Sequence, residues 1–483
     1  MGNLYQFPGD FGKWVNQLQE TYGDIFELYI GRERNIWLNR GDIVEKMMMN
    51  STRNNIYLLR MNPNDGLDEM DLTTKGLAFN RNLDNWELYR SVLNKSLVAP
   101  EFQKETLNLV QKTFEEMEGY WRKLGPNAII DIPQWNLNLV GDVIIKLTTG
   151  RSPYSLTTYF NEAYKGEKAP YPRSTPWEET AKILKCLETY FTAVQYFLFM
   201  PSVFRHSLFY PMTWSLLKSI NWKQEKLKEI VKDRRQEIAI TDDSEPLRAD
   251  VLTMFITANT GRSIIGKTTR DDQARPLRDD EVEAILWETI GGSIDVTAHV
   301  LGYIVEHMSR NPGAKAKVIA EIDSVFNGNT ERAITLEDLE KLNYCEAVIN
   351  ETLRLIPTGP LSFRINGEED VIGGRVWKKG TQFALNYHGI TTNKSDWTDA
   401  KEFQPERFLS SAAVKKNAFL PFGAGARGCP GKKIAYDILK TEMALLYGKY
   451  EVDSIDPTAE IKYHFNVVNA CDSGKVYIRE RNG

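Results

Sequence analysis

The sequence predicts a mainly helical fold with a small β-rich lobe. Three observations carry that expectation. Most segments after residue 85 mix apolar and charged residues with the period of a helix. Strand signals are few and cluster at 25–38 and 362–386. No period of about 20–50 residues repeats, so neither a solenoid nor a propeller is encoded. The composition is that of an ordinary globular chain, 483 residues with 42% apolar and 26% charged. A net charge of -5 argues against a nucleic-acid partner, which usually meets a basic excess.

Taken in chain order, "IFELYIGRERNIWL" (25–38) reads as strand. "YFTAVQYFLFMPSVF" (190–204) is the most apolar run, and Gln195 and Pro201 interrupt it. It falls short of the roughly 18 apolar residues that a membrane span needs. It continues into the aromatic-rich "RHSLFYPMTW". Two readings stand: a buried helix and loop, or a patch over 190–215 that dips into a bilayer surface, where aromatic side chains are favoured. "NWKQEKLKEIVKDRRQEI" is a charged amphipathic helix with Leu227, Ile230 and Val231 on one face.

Residues 259–278 read as an exposed linker. Asp279 and Asp280 then open a helix of about thirty residues, about 45 Å long, that stops at Asn311-Pro312-Gly313. Gly291 and Gly292 in its middle each cost roughly 1 kcal/mol against alanine. Close helix packing explains such a pair, and so does a local widening against a ligand. Thr335 and Asp338 make a capping-box start for the region ending in "AVINETLRLIP". "VIGGRVWKKGTQFALN" reads as short strands around Gly-Gly and Lys-Gly turns. The chain reads as one domain, 1–483, with the β-rich lobe at about 22–60 and 362–390.

The four cysteines, Cys186, Cys345, Cys429 and Cys471, lack C-x-x-C spacing. They suit mostly buried thiols in a reducing compartment rather than disulfides or a zinc ribbon. Cys429 alone lies in a Gly-rich, Arg-flanked stretch, "LPFGAGARGCPG" (420–431). There Gly423, Gly425 and Gly428 also spell G-x-G-x-x-G. A dinucleotide loop follows a buried strand and opens a βαβ unit. Here the preceding "AFLPF" contains Pro421, which suits a central strand badly, and no βαβ pattern surrounds it.

A loop that holds a thiolate accounts for each residue. Glycines permit a tight loop whose amides point at sulfur. Those amides and the N-terminus of the following helix, "GKKIAYDILKTEMALL", are expected to lower the thiol pKa. Arg427 supplies a fork for a carboxylate, and Phe422 an apolar wall.

The segment Phe422-x-x-Gly425-x-Arg427-x-Cys429-x-Gly431 resembles the haem-binding signature of the cytochrome P450 family, with every fixed position filled. The resemblance implies that Cys429 is the axial ligand of the iron of haem b and that Arg427 pairs with a propionate. Thiolate ligation favours O–O cleavage. Glu351 and Arg354 resemble the family's E-x-x-R helix, and "FQPERF" the segment whose Arg407 completes a buried cluster. Alone, an i,i+3 Glu/Arg pair is an ordinary surface salt bridge. Trp86-x-x-x-Arg90 is similar to the family's W-x-x-x-R helix, and Arg364 looks like a further propionate partner. By family position Thr358, Leu361, Val296 and Val468 border the substrate pocket. The resemblance runs from "YGDIFELYIG" to the last strands and implies the family's triangular helical prism around a buried haem.

Two departures matter. The family's central helix carries [AG]-G-x-[DE]-T-[TS]; this chain reads Gly292-Ser293-Ile294-Asp295-Val296-Thr297. The acid is present as Asp295, but valine stands where the oxygen-side threonine is usual. Thr297 is about 100° further round a regular helix, and a bulge near Gly291-Gly292 would rotate it back. Proton delivery is thereby assigned to Asp295, Thr297, bound water or a substrate hydroxyl. The second departure is at the front, where an apolar anchor and Pro-rich hinge precede this segment in microsomal members. Either an anchor was removed or missed, or the protein is a soluble variant.

The expectation is a haem-thiolate monooxygenase of the eukaryotic, fungal-like microsomal type, a monomer. It would insert one atom of O₂ into an apolar lipid, terpenoid or aromatic compound of secondary metabolism. Electrons would come from a separate NADPH-cytochrome P450 reductase, with cytochrome b5 as a second donor. An anchored parent form would lie on the cytosolic face of the endoplasmic reticulum membrane. Lys432 and Lys433 suit a basic patch for an acidic reductase, or simply a solvated first turn. Two rivals stand beside this reading. One is a haem-thiolate isomerase, dehydratase or peroxygenase that needs no O₂ activation, favoured by Val296. The other is a non-catalytic haem sensor or carrier.

Overall fold

The computed structural model describes residues 11–30, 33–49, 51–52, 55–170, 177–266, 274–410 and 414–481. They are mainly helical, with small sheets. The helix Asp279–Arg310 organises the rest: Val282, Ile285, Leu286, Ile294, Ala298, Val305 and Met308 are all buried along it. A helix apolar on nearly every side must be wrapped by others. Ile132–Thr149 and Tyr210–Ile240 pack on it, as do Asn343–Leu355 and Lys432–Lys449. Its N-terminus is fixed by Glu281, whose carboxylate accepts from the Arg278 N–H at 2.9 Å and from the Tyr89 hydroxyl at 2.8 Å.

The expected β-rich lobe is present. Strands Ile25–Ile30 and Glu33–Leu38 form an antiparallel hairpin. Glu33–Leu38 then pairs in parallel with Gln382–Asn386, which pairs antiparallel with Leu361–Ile365. The lobe thus joins residues 347 positions apart, as at Asn35 and Gln382. Gly373 and Gly374, with φ of +58° and +75°, make the tight turn between Asp370–Ile372 and Arg375–Trp377. Two sheets extend beyond the expected strand clusters. Ile129–Asp131, Lys475–Glu480 and Tyr450–Ser454 form one, and the hairpin Tyr463–Asn466/Val468–Cys471 the other. Their strands are short and rich in charged or polar residues. Pairing with distant partners supplies what the local pattern lacks.

The aromatic region divides into a buried half and an exposed half. Tyr190, Ala193, Val194, Tyr196 and Phe197 are buried in the helix Trp177–Phe199. Exposure begins after it: Val203, Phe204, Leu208, Tyr210, Met212 and Trp214 all face outward, Leu208 at 73%. Among the described residues no helix is long and apolar enough to cross a membrane. The Thr335/Asp338 capping box is closed in both directions, at 3.2 and 2.9 Å. The helical region it opens is divided into Leu336–Lys341 and Asn343–Leu355. Of the linker at 259–278, residues 267–273 lie outside the described residues, as does the start of the chain through residue 10.

Gly291 and Gly292 have separate reasons. A Cβ on Gly291 would stand 3.2 Å from Leu187, whereas one on Gly292 would meet nothing within 4 Å. The first glycine serves packing, and the second fronts open space. The helix is an unbroken α-helix through both, with no bulge.

Candidate functional site

The cysteine loop is shaped by its glycines. Gly423 and Gly425 adopt φ of +61° and +68°, a region glycine enters without steric cost. A Cβ on Gly425 would lie 2.5 Å from the carbonyl oxygens of Met48 and Met49. The Ala426 N–H donates to Met49 O at 2.9 Å, and the Cys429 N–H donates to Phe422 O at 2.8 Å. Phe422 is half-buried against Tyr436, ring centres 5.4 Å apart. Gly431 ends the loop at the N-cap of Lys432–Lys449.

Cys429, alone among the four cysteines, is exposed. Protein nevertheless surrounds it closely, and burial raises its thiol pKa above the ordinary value. The Gly431 N–H, Arg90, Arg60 and Lys432 act in the opposite direction and do not overcome it. The expected lowering of the pKa is therefore corrected: amides and nearby charge alone do not make the thiolate. Metal coordination deprotonates such a thiol outright.

Four arginines converge beside the loop. Arg427 donates to Leu58 O at 2.8 Å and Leu77 O at 2.9 Å. Arg90 donates to Gly428 O, and Arg60 to Arg427 O at 3.4 Å. Arg364 donates to Phe363 O at 2.7 Å and to the Ser362 hydroxyl. None has a carboxylate partner in hydrogen-bond or ion-pair contact among the described residues. Buried guanidinium nitrogens are left unbonded on all four: Nε of Arg60 and Arg90, Nε and Nη2 of Arg364, and Nη2 of Arg427. Burial lowers the pKa of every one; repulsion from Arg60 adds to it for Arg90 and Arg364, and repulsion from all three others adds to it for Arg427. Buried cations of one sign with unfilled donors are costly unless an anionic guest meets them. A dianionic group beside a sulfur ligand fits this cradle, and haem b, with two propionates and an iron, is such a group. Phe422, Gly425, Arg427, Cys429, Gly431, Trp86, Arg90 and Arg364 are thus brought together. Arg60 was not legible, because "YLLRMNPND" carries no motif.

A second missed residue is Glu288, on the central helix. Its carboxylate accepts from the N–H groups of Leu77 and Ala78, the latter at 3.1 Å. Leu77 in turn offers its carbonyl to Arg427. Burial pushes the Glu288 pKa up to about 7.

Away from the cradle, Glu351 Oε2 receives Arg354 Nε at 2.7 Å, and Glu351 Oε1 lies 3.4 Å from Arg407 Nε. Arg354 also donates to the carbonyls of Thr391, Ala400 and Glu402. Glu351 and Arg354 are completely buried.

The remaining candidates separate. Asp295 and Val468 line one cavity. Val296 is half-buried, and Thr297, 5% exposed, borders no part of that cavity. Thr358 accepts the Asn469 N–H at 2.9 Å, joining the segment after the Glu351 helix to the late hairpin. Leu361 packs on the core of the N-terminal sheet instead. Lys432 and Lys433 are exposed, with Lys433 on Asp437 at 2.9 Å.

Comparison with known proteins agrees with this arrangement. The family model of cytochrome P450 matches residues 1–470. The chain is 24% identical to mouse (Mus musculus) aromatase over 92% of its own length and 78% of the relative's. It is 24% identical to cytochrome P450 82A2 of Glycine max, covering 93% and 82%. It is 25% identical to the tabersonine/lochnericine 19-hydroxylase of Catharanthus roseus, covering 94% and 84%. With a family match over nearly the whole sequence, the chain belongs to the cytochrome P450 family.

Proposed function

We propose that this cytochrome P450 monooxygenase holds haem b on Cys429 and pairs its propionates with Arg427, Arg90, Arg364 and Arg60. The observation that carries this reading is the set of four arginines, Arg364 and Arg427 buried and Arg60 and Arg90 half-buried, with open buried donors beside an accessible cysteine. When bound, haem supplies the reductive activation of O₂. Trp86 holds Arg427 in place, and Phe422, packed on Tyr436, offers an apolar wall to the cysteine loop. Gly292 leaves room beside the central helix. Asp295, whose pKa burial pushes up to about 6, is poised to carry a proton. One oxygen atom enters an apolar substrate, a lipid, terpenoid or aromatic compound. Electrons come from an NADPH-cytochrome P450 reductase, and the exposed Lys432 and Lys433 suit its acidic face. The outward-facing residues from Val203 to Trp214 suit contact with the endoplasmic reticulum membrane.

The ferrous–CO absorbance of the haem-loaded protein tests this reading. Cys429→Ala abolishes the thiolate-type band; a band that survives the substitution refutes the assignment. Val296 favours a second reading, a haem-thiolate isomerase, dehydratase or peroxygenase. Product formation with peroxide alone, and none with reductase, NADPH and O₂, selects a peroxygenase. Rearrangement or dehydration of a substrate with neither electrons nor added peroxide selects the isomerase or dehydratase.

A further inference from the structure

A cavity of about 510 Å³ opens on the flank of the central helix. Its walls come from Ile132–Thr149, Ser155–Ala163, Trp177–Phe199 and the late hairpin. Neither Cys429 nor any of the four cradle arginines borders it. It is large enough for a small organic ligand.

Its charges are unbalanced. Three carboxylates, Glu162, Glu188 and Asp295, face it, against the single ammonium of Lys185. Asp295 and Glu188 have no ion pair among the described residues. The charge of Glu188 reaches Asp295: after burial, it is what raises the Asp295 pKa. One turn beyond Asp295, His299 lines the same cavity. It is 5% exposed, and its Nδ1 has no hydrogen-bond partner. Burial lowers its pKa to about 4, so the ring is neutral at physiological pH and does not repel a cation. His464, at the hairpin wall, is already held by Asp472 at 2.9 Å. Leu187 and Phe191 add an apolar wall on the helix Trp177–Phe199.

We propose that this cavity binds a small organic cation, a protonated amine on an apolar or aromatic stem. The ammonium lies between Asp295 and Glu188 and donates to Nδ1 of His299, while the stem lies along Leu187 and Phe191. A neutral guest leaves the two carboxylates repelling one another, and an anionic guest adds to the repulsion. A cation removes both costs and fills the free ring nitrogen. The inference does not rest on the assignment of Cys429, since neither that cysteine nor a cradle arginine borders the cavity; Asp295 alone is shared with the proposed proton route.

The test is calorimetric titration of the haem-loaded full chain at pH 7.5 with 2-phenylethylammonium and with the neutral 2-phenylethanol. The amine is expected to bind at least about tenfold more tightly than the alcohol. Glu188→Gln, which keeps size and shape, is expected to weaken the amine about tenfold and leave the alcohol unchanged. Equal affinities for the two compounds, or no amine binding at millimolar concentration, overturn the proposal. So does amine binding that is indifferent to Glu188→Gln, and an accompanying nitrogen–iron absorbance shift would place the amine at the haem instead.

Discussion

The guanidinium carbon of Arg427 stands 3.9 Å from the centre of the Trp86 indole. This contact spreads part of a buried charge over an aromatic face, yet it leaves Arg427 Nη2 without an acceptor. The arginine is therefore stabilised enough to stay and unsatisfied enough to take a ligand.

Replacing Arg427 by Met should act with opposite sign on the two forms of the protein. Without haem, the change removes a buried cation that faces three others, so the melting temperature should not fall. With haem, loss of charged hydrogen bonds should speed haem transfer to an excess of an apo-globin about 10–100-fold. Destabilisation of both forms alike would mean that Arg427 is an ordinary packing residue.

Glu288 predicts a pH dependence. Its ordinary pKa is 4.5 and its folded value about 7. Between these values the folded state binds more protons than the unfolded one, so this group makes stability decline as pH rises from about 4.5 to 7. The cost is then constant above that window and absent below it. It is at most about 3 kcal/mol. Thermal melts of Glu288→Gln should lack this share of the decline and exceed the parent most clearly above pH 7.

Glu351→Ala should be far more damaging than its exchange on a surface helix would be. It strands the fully buried Arg354 and removes the partner of Arg407. A loss of about 3–5 kcal/mol is expected in denaturant unfolding, with low recovery of folded protein. Arg407→Ala, which leaves the closer Glu351–Arg354 pair intact, should cost less.

Val296→Thr should raise the fraction of NADPH oxidation that ends in product, because it restores a hydroxyl at a half-buried position beside Asp295. Thr297→Val should leave that fraction unchanged, since the helix is regular and Thr297 is buried outside the Asp295 cavity. Product and NADPH measured together decide both.

Exchanging Phe204, Leu208 and Trp214 together for serine should cut co-sedimentation with phospholipid vesicles while the melting temperature holds. All three are exposed, at 46%, 73% and 56%, and surface changes of this kind usually shift stability by less than about 0.5 kcal/mol each.

The sequence was most readable where chemistry is local. The loop around Cys429, the Glu351/Arg354 spacing and the limits of the helix Asp279–Arg310 each depend on residues a few positions apart. Arg60 and Glu288 were invisible because their roles arise from distant neighbours, Arg427 for one and the N–H groups of Leu77 and Ala78 for the other. The late strands were expected only from the family resemblance and carry no local strand pattern, since Lys475–Glu480 becomes a strand by pairing with 129–131 and 450–454. The thiol pKa was misread in direction because the enclosing protein, which no linear pattern reveals, outweighs the nearby charges.

The close approach of Gly425 to the carbonyls of Met48 and Met49 also bears on how the protein is made. The loop that carries Cys429 cannot take its shape until the 45–49 turn is in place, and Arg427 is tied to Leu58 across 369 residues. Contacts of such sequence separation form late, because chain closure must precede them. During synthesis the 45–49 turn leaves the ribosome long before the cysteine loop does. The cradle is thus completed only after both segments have been made, and haem acquisition becomes a report that the two have met.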